Sequence, residues 1–395
     1  MIEIQKFILE NGIEALKDKS IDVSRSVVYP ELVLCKYSMI DSPMADTVVQ
    51  QARGIILDES NNYTPVCRPF DKFFNHGEML AAKLDLVSTK LMHKLDGSLC
   101  SLYFHKGTWN VSTSGNPDAA GNVDRSGWVF RDLFWHAFNT QQLKLPTDIT
   151  NTYMFELTSQ HNRIVVRYTE PKLTLIGIRN TLSGQERDIY DVSGFPLPEI
   201  IDPFVGFSKS HAYVSTMIAS AERYINTVNP IQLEGVVAVD KYFNRVKIKS
   251  VGYLRLHRIR GNESMPGDLN LLDIVLAGES EEIGTYFTEW KPKMDKFELA
   301  IKSFKMEIKD VYRKCFRLAY ADSIGKLQSK PDVTPAMQRK TFAEHAKVKW
   351  YAALLFNLLK LAPTEDDLTT AINDLVSGMS EVQRQQLLAH IDEYK

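Results

Sequence analysis

The most informative stretch of the sequence is Lys94-Leu95-Asp96-Gly97-Ser98. It follows a strand-like run, Leu86–His93, and precedes a second one, Leu99–Phe104. A lysine at a strand-to-strand turn can point into a cleft, where its deprotonated amine is a nucleophile. We expect burial and neighbouring cations to lower the pKa of Lys94 and to favour the free amine. Taken alone, this K-x-D-G pattern is a weak signal and favours a surface hairpin turn.

Five further motifs accompany this turn along the chain. They combine cations, acids and aromatic residues at the ends of predicted strands, and the last one places two lysines on one face of a strand, which has a period of two. In order, they are Arg53-Gly54, Lys72-Phe73-Phe74-Asn75, Phe155-Glu156, Glu234-Gly235 and Lys247-Ile248-Lys249. Each has an ordinary structural explanation, such as a salt bridge, a core aromatic or a pair of edge-strand lysines. These separate explanations do not account for the motifs occurring together in this order.

The first 250 residues predict an α+β fold with antiparallel sheets. Short runs of β-branched and aromatic residues recur between turn residues, and few helical patterns separate them. The predicted strands are Gly54–Leu57, Leu99–Phe104, Tyr153–Leu157, Arg163–Tyr168, Leu173–Ile178, Gly235–Val239 and Arg245–Lys249. One helix is predicted from about His211 to Val228. This pattern disfavours a doubly wound parallel sheet, in which helices alternate with strands.

The remainder of the chain predicts an all-α domain. Apolar residues recur at helical spacing along one long helix, at Phe297, Ile301, Phe304, Ile308, Val311, Cys315 and Leu318. Thr334-Pro335 predicts an N-cap and first residue of a second helix that extends to about Leu361. Thr364 and Asp367 resemble a capping box that begins a third helix.

Composition is typical of a globular protein of two or three domains, since the chain has 395 residues, 44% apolar and 24% charged. The net charge of −2 excludes a uniformly basic protein, but residues 291–349 contain 15 Lys and Arg against 7 Asp and Glu. This excess predicts either a solvated helix face or a surface that contacts phosphates. The four cysteines form no C-x-x-C pair, which favours a reduced compartment. Neither a signal peptide nor a membrane span is expected.

The sequence contains no Walker A loop, dinucleotide-binding fingerprint, zinc-protease motif or nucleophile elbow. Its motifs instead resemble those of the covalent nucleotidyltransferase superfamily and, within it, the phage RNA ligase 1 family. The most specific stretches of this resemblance are Lys72–Asn75, Phe155–Val166 and Lys247–His257. It implies an adenylyltransferase domain over residues 1–254, with an ATP-grasp-like ligase core of antiparallel sheets. It also implies that residues 255–395 are a helical domain that binds RNA or tRNA.

The resemblance further implies a role for each motif residue. Lys94 would attack the α-phosphorus of ATP to form lysyl-AMP, the AMP would move to a 5′-phosphate RNA end, and a 3′-hydroxyl would then displace it. Lys247 and Lys249 would contact the α-phosphate as catalytic residues. The other nucleotide-binding residues would be Glu156 at the ribose, Glu234 at the divalent metal Mg²⁺, Arg53 and Lys72 at the phosphates, and Tyr253 in a role left open.

The same family implies a setting for this activity. We expect an ATP-dependent ligase that repairs cleaved tRNA, acts as a monomer in the cytoplasm of a phage-infected bacterium and works beside an end-healing polynucleotide kinase-phosphatase. One departure concerns the first step. Ser114, in the run Val111–Gly115, stands where the family usually carries a basic residue. The alternatives are an mRNA capping guanylyltransferase, a DNA ligase or a catalytically dead RNA-binding module.

Overall fold

The computed structural model describes residues 1–123, 126–202, 211–260, 266–324 and 335–394. The chain forms two compact units, Met1–Ser264 and Met265–Lys395. The division follows the helix Val251–Arg260, whereas the domain boundary expected from the sequence lies at residue 254. The helix that follows the Lys247–Lys249 strand is therefore part of the first unit.

The first unit combines short strands with a few helices. Its described strands are β1 (Ile21–Arg25), β2 (Leu32–Tyr37), β3 (Arg53–Asp58), β4 (Thr64–Cys67), β5 (Phe74–Asn75), β6 (Lys90–Lys94), β7 (Ser98–His105), β8 (Thr108–Thr113), β9 (Asn122–Val123), β10 (Trp128–Val129), β11 (Asn151–Thr158), β12 (Lys172–Asn180), β13 (Glu186–Arg187), β14 (Ile200–Ile201), β15 (Gly235–Val239) and β16 (Arg245–Lys249). Its described α-helices are α1 (Glu3–Asn11), α2 (Thr47–Gln51), α3 (Phe130–Thr140), α4 (His211–Thr227) and α5 (Val251–Arg260). Short 3₁₀ helices cover Ile13–Lys19, Glu59–Asn61 and Ile189–Asp191.

Three larger sheets organise these strands. An N-terminal antiparallel sheet has the order β1-β2-β3-β4, and its apolar face packs with α1 and α2. Two five-stranded sheets follow, with the orders β13-β12-β11-β7-β8 and β14-β6-β15-β16-β5. Among the strands that the structure describes, all pairs are antiparallel except β16 with β5. The α+β architecture with antiparallel sheets expected from the sequence is confirmed.

Each five-stranded sheet has its own apolar core. In the first, α3 contributes Leu133 and Phe134 to a cluster that includes Phe155 of β11. In the second, α4 contributes Met217 and Ile225 to a separate cluster. Helices on these faces bury the apolar side chains of the strands, so the polar motif residues are left for the space between the sheets.

Most predicted strands are confirmed, and Gly235–Val239 and Arg245–Lys249 agree at both ends. The strand predicted over Arg163–Tyr168 is wrong, because this segment is a loop. Its β-branched residues suit a strand, but the N–H groups of Val165 and Val166 both donate to the Asp96 carboxylate at 2.8 Å. A side chain distant in sequence thus takes the donors that a neighbouring strand would have used.

The second unit is helical in its described residues, as expected. Its helices are α6 (Asp268–Leu276), α7 (Ser280–Tyr286), α8 (Lys291–Ile324), α9 (Pro335–Ala346), α10 (Ala352–Leu361), α11 (Leu368–Ser377) and α12 (Glu381–Ala389), followed by a 3₁₀ turn over Ile391–Tyr394. Along α8 the buried stripe includes Tyr312 and Ala319 instead of the predicted Val311 and Leu318. The stripe shifts by one residue because the helical repeat of 3.6 residues drifts against a strict alternation of four and three.

The single helix predicted from residue 334 to Leu361 is wrong, since α9 and α10 are separate. The predicted cap Thr334 lies outside the described residues. At the break, the Lys349 ammonium and the Tyr351 hydroxyl both donate to the Glu307 carboxylate of α8, at 2.7 and 2.6 Å. Trp350 stacks on Phe304 with ring centroids 5.0 Å apart. These contacts with α8 account for the break between α9 and α10, which the helical periodicity of the sequence does not predict.

Two further features concern the whole of the described chain. All four cysteines are buried and unpaired. Among the helices that the structure describes, none combines the length and the apolar character that crossing a membrane requires.

Candidate active site

Three adjacent strands align the K-x-D-G lysine with the Lys247-Ile248-Lys249 motif. Gly235 of β15 is paired with Lys94 of β6 on one side and with Lys249 of β16 on the other. The residue before it, Glu234, is buried, and its Oε2 accepts a hydrogen bond from Lys94 Nζ at 2.6 Å. Its Oε1 lies 2.9 Å from Lys249 Nζ. One buried carboxylate therefore holds two ammonium groups, which compensates the cost of burying its own charge.

This pairing corrects the expectation about the pKa of Lys94. Burial lowers the pKa of Lys94, but the carboxylates of Glu234 and Glu156 raise it by more, so the net pKa lies above its usual range. The sequence motifs indicated the neighbouring cations, but they could not indicate a carboxylate at hydrogen-bond distance. In this structure Lys94 is an ammonium that must lose a proton before it can act as a nucleophile.

Lys94 lies in a cavity of about 180 Å³ between the two five-stranded sheets. Its apolar lining includes Met92, Ile176 and Val237, from three different strands. Its ionisable lining includes most of the predicted site residues, namely Arg53, Lys94, Glu156, Lys247 and Lys249. The apolar part of the cavity suits a flat aromatic ring, and the cations suit phosphates. The cavity therefore matches a ligand that contains both, such as a nucleotide.

Two cations of the cavity lie against the same aromatic ring. The Arg53 guanidinium is 5.3 Å and the Lys247 ammonium 4.7 Å from the centroid of the Phe73 ring. Burial and the charges of Arg53, Lys72, Lys94 and Lys249 lower the pKa of Lys247 to about 7. Arg53 Nη1 is buried without a hydrogen-bond partner. A bound anion would stabilise both groups. It would favour the charged form of Lys247 and accept a hydrogen bond from Arg53 Nη1.

The K-x-D-G turn is held against β11 through its glycine. A Cβ atom at Gly97 would lie 2.4 Å from the carbonyl oxygen of Leu157, so no other residue fits this approach. The Gly97 N–H donates to Glu156 Oε1 at 3.0 Å. Burial raises the pKa of Glu156 to about 7, with Lys94 opposing the shift. Glu156 therefore both secures the turn and faces the cavity.

Asp96 of the same turn is a buried structural centre. Besides the N–H groups of Val165 and Val166, it accepts the hydroxyl of Tyr253 at 2.7 Å on Oδ1. Tyr253 is itself buried and lies outside the cavity lining. The tyrosine that the sequence analysis assigned to nucleotide binding is thus placed to position the turn that carries Lys94.

Lys72 also lies outside the lining of this cavity. Its ammonium is 5.2 Å from the centroid of the Tyr37 ring and 5.6 Å from that of Phe74. It lines a neighbouring polar pocket together with Phe70 and Phe73, which are shared with the main cavity. Lys72 is close enough to lower the pKa of Lys247, so it belongs to the same group of cations.

Arg245 and Phe70 also line the cavity, although they belong to none of the six sequence motifs. Arg245 binds Glu186 of β13 through two hydrogen bonds of 3.0 and 2.5 Å, and its guanidinium lies 4.4 Å from the centroid of the Phe70 ring. This buried pair joins the two five-stranded sheets. The strand period of two already placed Arg245 on the face of Lys247, so this signal was available, whereas nothing local indicated Phe70.

The donors beside the cavity suit a magnesium ion. In the described part of the chain, no three His, Cys, Asp or Glu side chains are grouped to hold a metal. Mg²⁺ requires fewer protein ligands, because it retains waters and binds the oxygens of substrate phosphates. The buried carboxylate of Glu234 is a hard oxygen donor of the preferred kind, so the residues present fit such an ion.

Comparison with known proteins relates this chain to RNA ligases. A family model described as RNA ligase matches residues 51–253. A putative bifunctional polynucleotide kinase/RNA ligase of Autographa californica nuclear polyhedrosis virus is 28% identical, over 78% of this chain and 45% of the relative. An RNA ligase of Rhodothermus phage RM378 is 26% identical, over 80% of this chain and 84% of the relative. This chain thus spans less than half the length of the viral relative.

Solved structures of RNA ligases are more distant. An archaeal ATP-dependent RNA ligase is 12% identical with a TM-score of 0.42, over 96% of this chain and 100% of that one. A mutant RNA ligase of Naegleria gruberi with ATP and Mn is 14% identical with a TM-score of 0.30, over 43% of this chain and 52% of that one. The assignment therefore rests on the sequence match, which covers just over half of the chain and all six motifs. The resemblance to phage RNA ligases is confirmed, and the chain belongs to the RNA ligase family.

Proposed function

We propose that this protein is an ATP-dependent RNA ligase that joins 5′-phosphate and 3′-hydroxyl ends through lysyl-AMP and adenylylated RNA. The observation that carries the proposal is the placement of Lys94. Its ammonium is 2.6 Å from the buried carboxylate of Glu234, in a cavity that Arg53, Lys247 and Lys249 also line. A nucleophile beside this many cations suits attack on a phosphate and little other chemistry.

In the first step the Lys94 amine forms a P–N bond with the α-phosphorus of ATP, and the bond from that phosphorus to the leaving pyrophosphate breaks. The attacking nitrogen must first give up a proton, and Glu234 Oε2 is the acceptor within hydrogen-bond distance. Mg²⁺ bound at Glu234 would add positive charge where the phosphoryl oxygens gain negative charge. Lys249 shares the same carboxylate, so it remains next to the reacting phosphate.

The other predicted site residues contact different parts of the nucleotide. Lys247 and Lys249 contact the α-phosphate, and Arg53 offers a buried, unpartnered nitrogen to a phosphate oxygen. Glu156 uses one oxygen for the Gly97 N–H, which leaves the other to accept a ribose hydroxyl. Lys72, at the neighbouring pocket, supports the charge of the phosphates from outside the cavity.

The second unit is proposed to bind the RNA, and we propose cleaved tRNA as its substrate. Five cations of α8 recur at intervals of three or four residues and therefore share one helix face, namely Lys302, Lys305, Lys309, Arg313 and Arg317. Lys309 donates to Thr369 and Arg313 pairs with Glu365, so the exposed Lys302 and Arg317 are the members of this stripe most accessible to a ligand. Such a stripe suits the phosphates of an RNA backbone. A separate kinase-phosphatase would supply the 5′-phosphate and the 3′-hydroxyl, an arrangement that the bifunctional kinase/ligase name of the viral relative supports.

Intact-mass spectrometry after incubation with ATP and magnesium tests the first step. We expect wild-type protein to gain one AMP, about 329 Da, on a single lysine. Lys94→Ala and the charge-preserving Lys94→Arg should gain none. Pretreatment with pyrophosphate removes any AMP already attached, so protein purified in the adenylylated form is not mistaken for inactive protein. A mass gain on Lys94→Ala, or none on pretreated wild type, would contradict the proposal.

Substrate choice then separates the alternatives. A labelled RNA with a 5′-phosphate and a 3′-hydroxyl should be joined with ATP but not with GTP, and nicked DNA should not be sealed. Uptake of GTP would favour a capping guanylyltransferase, sealing of DNA a DNA ligase, and RNA binding without any adduct an inactive binding module.

A further inference from the structure

Lys36 lies beside Arg53 and belongs to none of the six sequence motifs. It is an exposed residue of β2, paired with Arg53 of β3. Directly opposed residues of an antiparallel pair project from the same face of a sheet. Since Arg53 lines the cavity, Lys36 is carried on the side of the N-terminal sheet that faces the cavity.

The turn that contains Ser114 and Gly115 approaches the same place. Gly54 has a φ of +86°, and a Cβ atom there would lie 2.8 Å from the Ser114 Cα. The turn therefore packs directly on the backbone that follows Arg53. A Cβ atom at Gly115 would lie 3.0 Å from Lys36 Nζ. The Lys36 ammonium thus occupies the space over this glycine, next to Ser114.

The ammonium of Lys36 differs in its partners from three other cations of the region, Lys94, Lys249 and Arg245. Lys94 and Lys249 share Glu234, and Arg245 binds Glu186. Among the residues that the structure describes, Lys36 forms no ion pair. Because an exposed ammonium at this position is not neutralised by the protein, it is available to an anion of a ligand.

We infer that Lys36 binds the outer phosphates of ATP and so replaces the cation that Ser114 does not supply. This inference rests on the proposed function. In-line attack by Lys94 requires the pyrophosphate to leave on the side opposite the amine, beyond the α-phosphate cations. Arg53 and Lys36 then form a second pair of cations for the β- and γ-phosphates. When the bond between the α-phosphorus and the bridging oxygen breaks, the electron pair departs with the pyrophosphate, and Lys36 stabilises its charge.

Lys36 should affect the first step of the reaction and not the later ones, because only ATP carries the outer phosphates. Lys36→Ala should raise the KM for ATP in lysyl-AMP formation about ten-fold, the usual effect of losing one charged hydrogen bond. Joining of RNA that already carries a 5′-adenylate should be unchanged. Lys36→Arg should retain most of the affinity, and Lys6→Ala, at an exposed lysine of α1, should have no effect.

The double variant K36A/S114K provides the decisive comparison. If the two positions serve one phosphate site, a lysine at Ser114 should restore the KM for ATP in the Lys36→Ala background. An unchanged KM in Lys36→Ala, or an equal loss in the joining of adenylylated RNA, would overturn the inference.

Equilibrium titration with AMP and with an uncleavable ATP analogue tests the same point without turnover. Lys36→Ala should weaken binding of the analogue about ten-fold and leave binding of AMP unchanged. Equal affinities of wild type and variant for the analogue would refute the role of Lys36 even if no lysyl-AMP forms from ATP. Absence of lysyl-AMP in pretreated wild type given ATP, with Lys36-dependent binding of the analogue retained, would instead count against the proposed function alone.

Discussion

The two units of this molecule use charge in opposite ways. The first unit places ionisable side chains in its interior, where Asp96, Glu234 and Arg245 are buried and each has a partner. The second unit builds its interior from aromatic rings, and pairs such as Lys291 with Glu281 lie near its surface. Removing one partner of a buried charge is costly, whereas a surface pair contributes about 0–1 kcal/mol. In the first unit the residues of the candidate site also stabilise the fold, whereas in the second unit the cations proposed to bind RNA lie apart from the aromatic core.

The strongest test of this contrast is to damage the aromatic core of the second unit alone. Phe304 is fully buried and contacts Trp350, Tyr351 and Tyr394. Phe304→Ala should reduce the free energy of unfolding of this unit by about 3–5 kcal/mol, because it leaves a cavity. Hydrogen exchange should show faster exchange in α8, while lysyl-AMP formation persists. Leu299→Ala, at an exposed site of the same helix, is the control. Loss of lysyl-AMP formation in Phe304→Ala would show that the units are not separable.

The second test removes one hydrogen bond from the buried charges of the first unit. Tyr253→Phe leaves Asp96 Oδ1 without the hydroxyl that lies 2.7 Å away. An unsatisfied buried acceptor should cost about 1–3 kcal/mol of unfolding free energy. Because Asp96 belongs to the turn that carries Lys94, the rate of lysyl-AMP formation should fall together with stability. Tyr242→Phe, at an exposed tyrosine, should change neither. A normal rate in Tyr253→Phe would mean that the turn does not depend on this bond.

The third test concerns the charge state of Lys247. With a pKa of about 7, this lysine is largely neutral at pH 8 in the free protein. A bound phosphate raises the pKa, so binding should take up close to one proton at pH 8 and progressively less below pH 7. The linked free energy is up to about 1.4 kcal/mol per pH unit. Calorimetry in buffers of different ionisation enthalpy, with an uncleavable ATP analogue, measures the uptake, and Lys247→Met should abolish it.

The lowered pKa of Lys247 should also make the stability of the folded protein depend on pH. A depressed lysine pKa means that the unfolded chain binds more protons between the two pKa values. The contribution of Lys247 to stability should therefore rise with pH from about 7 towards 10.5, its ordinary value. Wild type should gain stability relative to Lys247→Met over this range, and a difference that does not depend on pH would contradict the shift.

The smallest effects are expected from single surface cations of the second unit. Lys302 and Arg317 are exposed cations of the α8 stripe, so replacing both by alanine should leave folding unchanged. If they contact RNA phosphates, the slope of log affinity against log salt should fall by about 1.4, at about 0.7 for each contact with a single strand. Alanine at Lys6 and Lys83, exposed lysines of the first unit, is the matched control. Equal slopes for both double variants would argue against RNA contact through this stripe.

Local patterns were sufficient for the elements that carry the motifs. The strands around Lys94, Glu156 and Lys247 and the long helix α8 follow from periods of two and 3.6 residues, which neighbouring residues determine. The same patterns failed over Arg163–Tyr168 and between α9 and α10. In both places a side chain distant in sequence binds the segment, Asp96 in the first case and Glu307 in the second. Periodicity contains no information about such partners.

The sequence by itself determined which chemical groups this protein possesses and on which strands they lie. Only the tertiary structure decided how they are paired, because Lys94 and Glu234 are 140 residues apart and meet through strand pairing. That pairing reversed the expected direction of the Lys94 pKa, since a carboxylate at hydrogen-bond distance outweighs burial. It also brought Lys36 over Gly115, a position that no motif indicates. The identity of a charged residue is local information, but its electrostatic environment is set by whatever the fold packs against it.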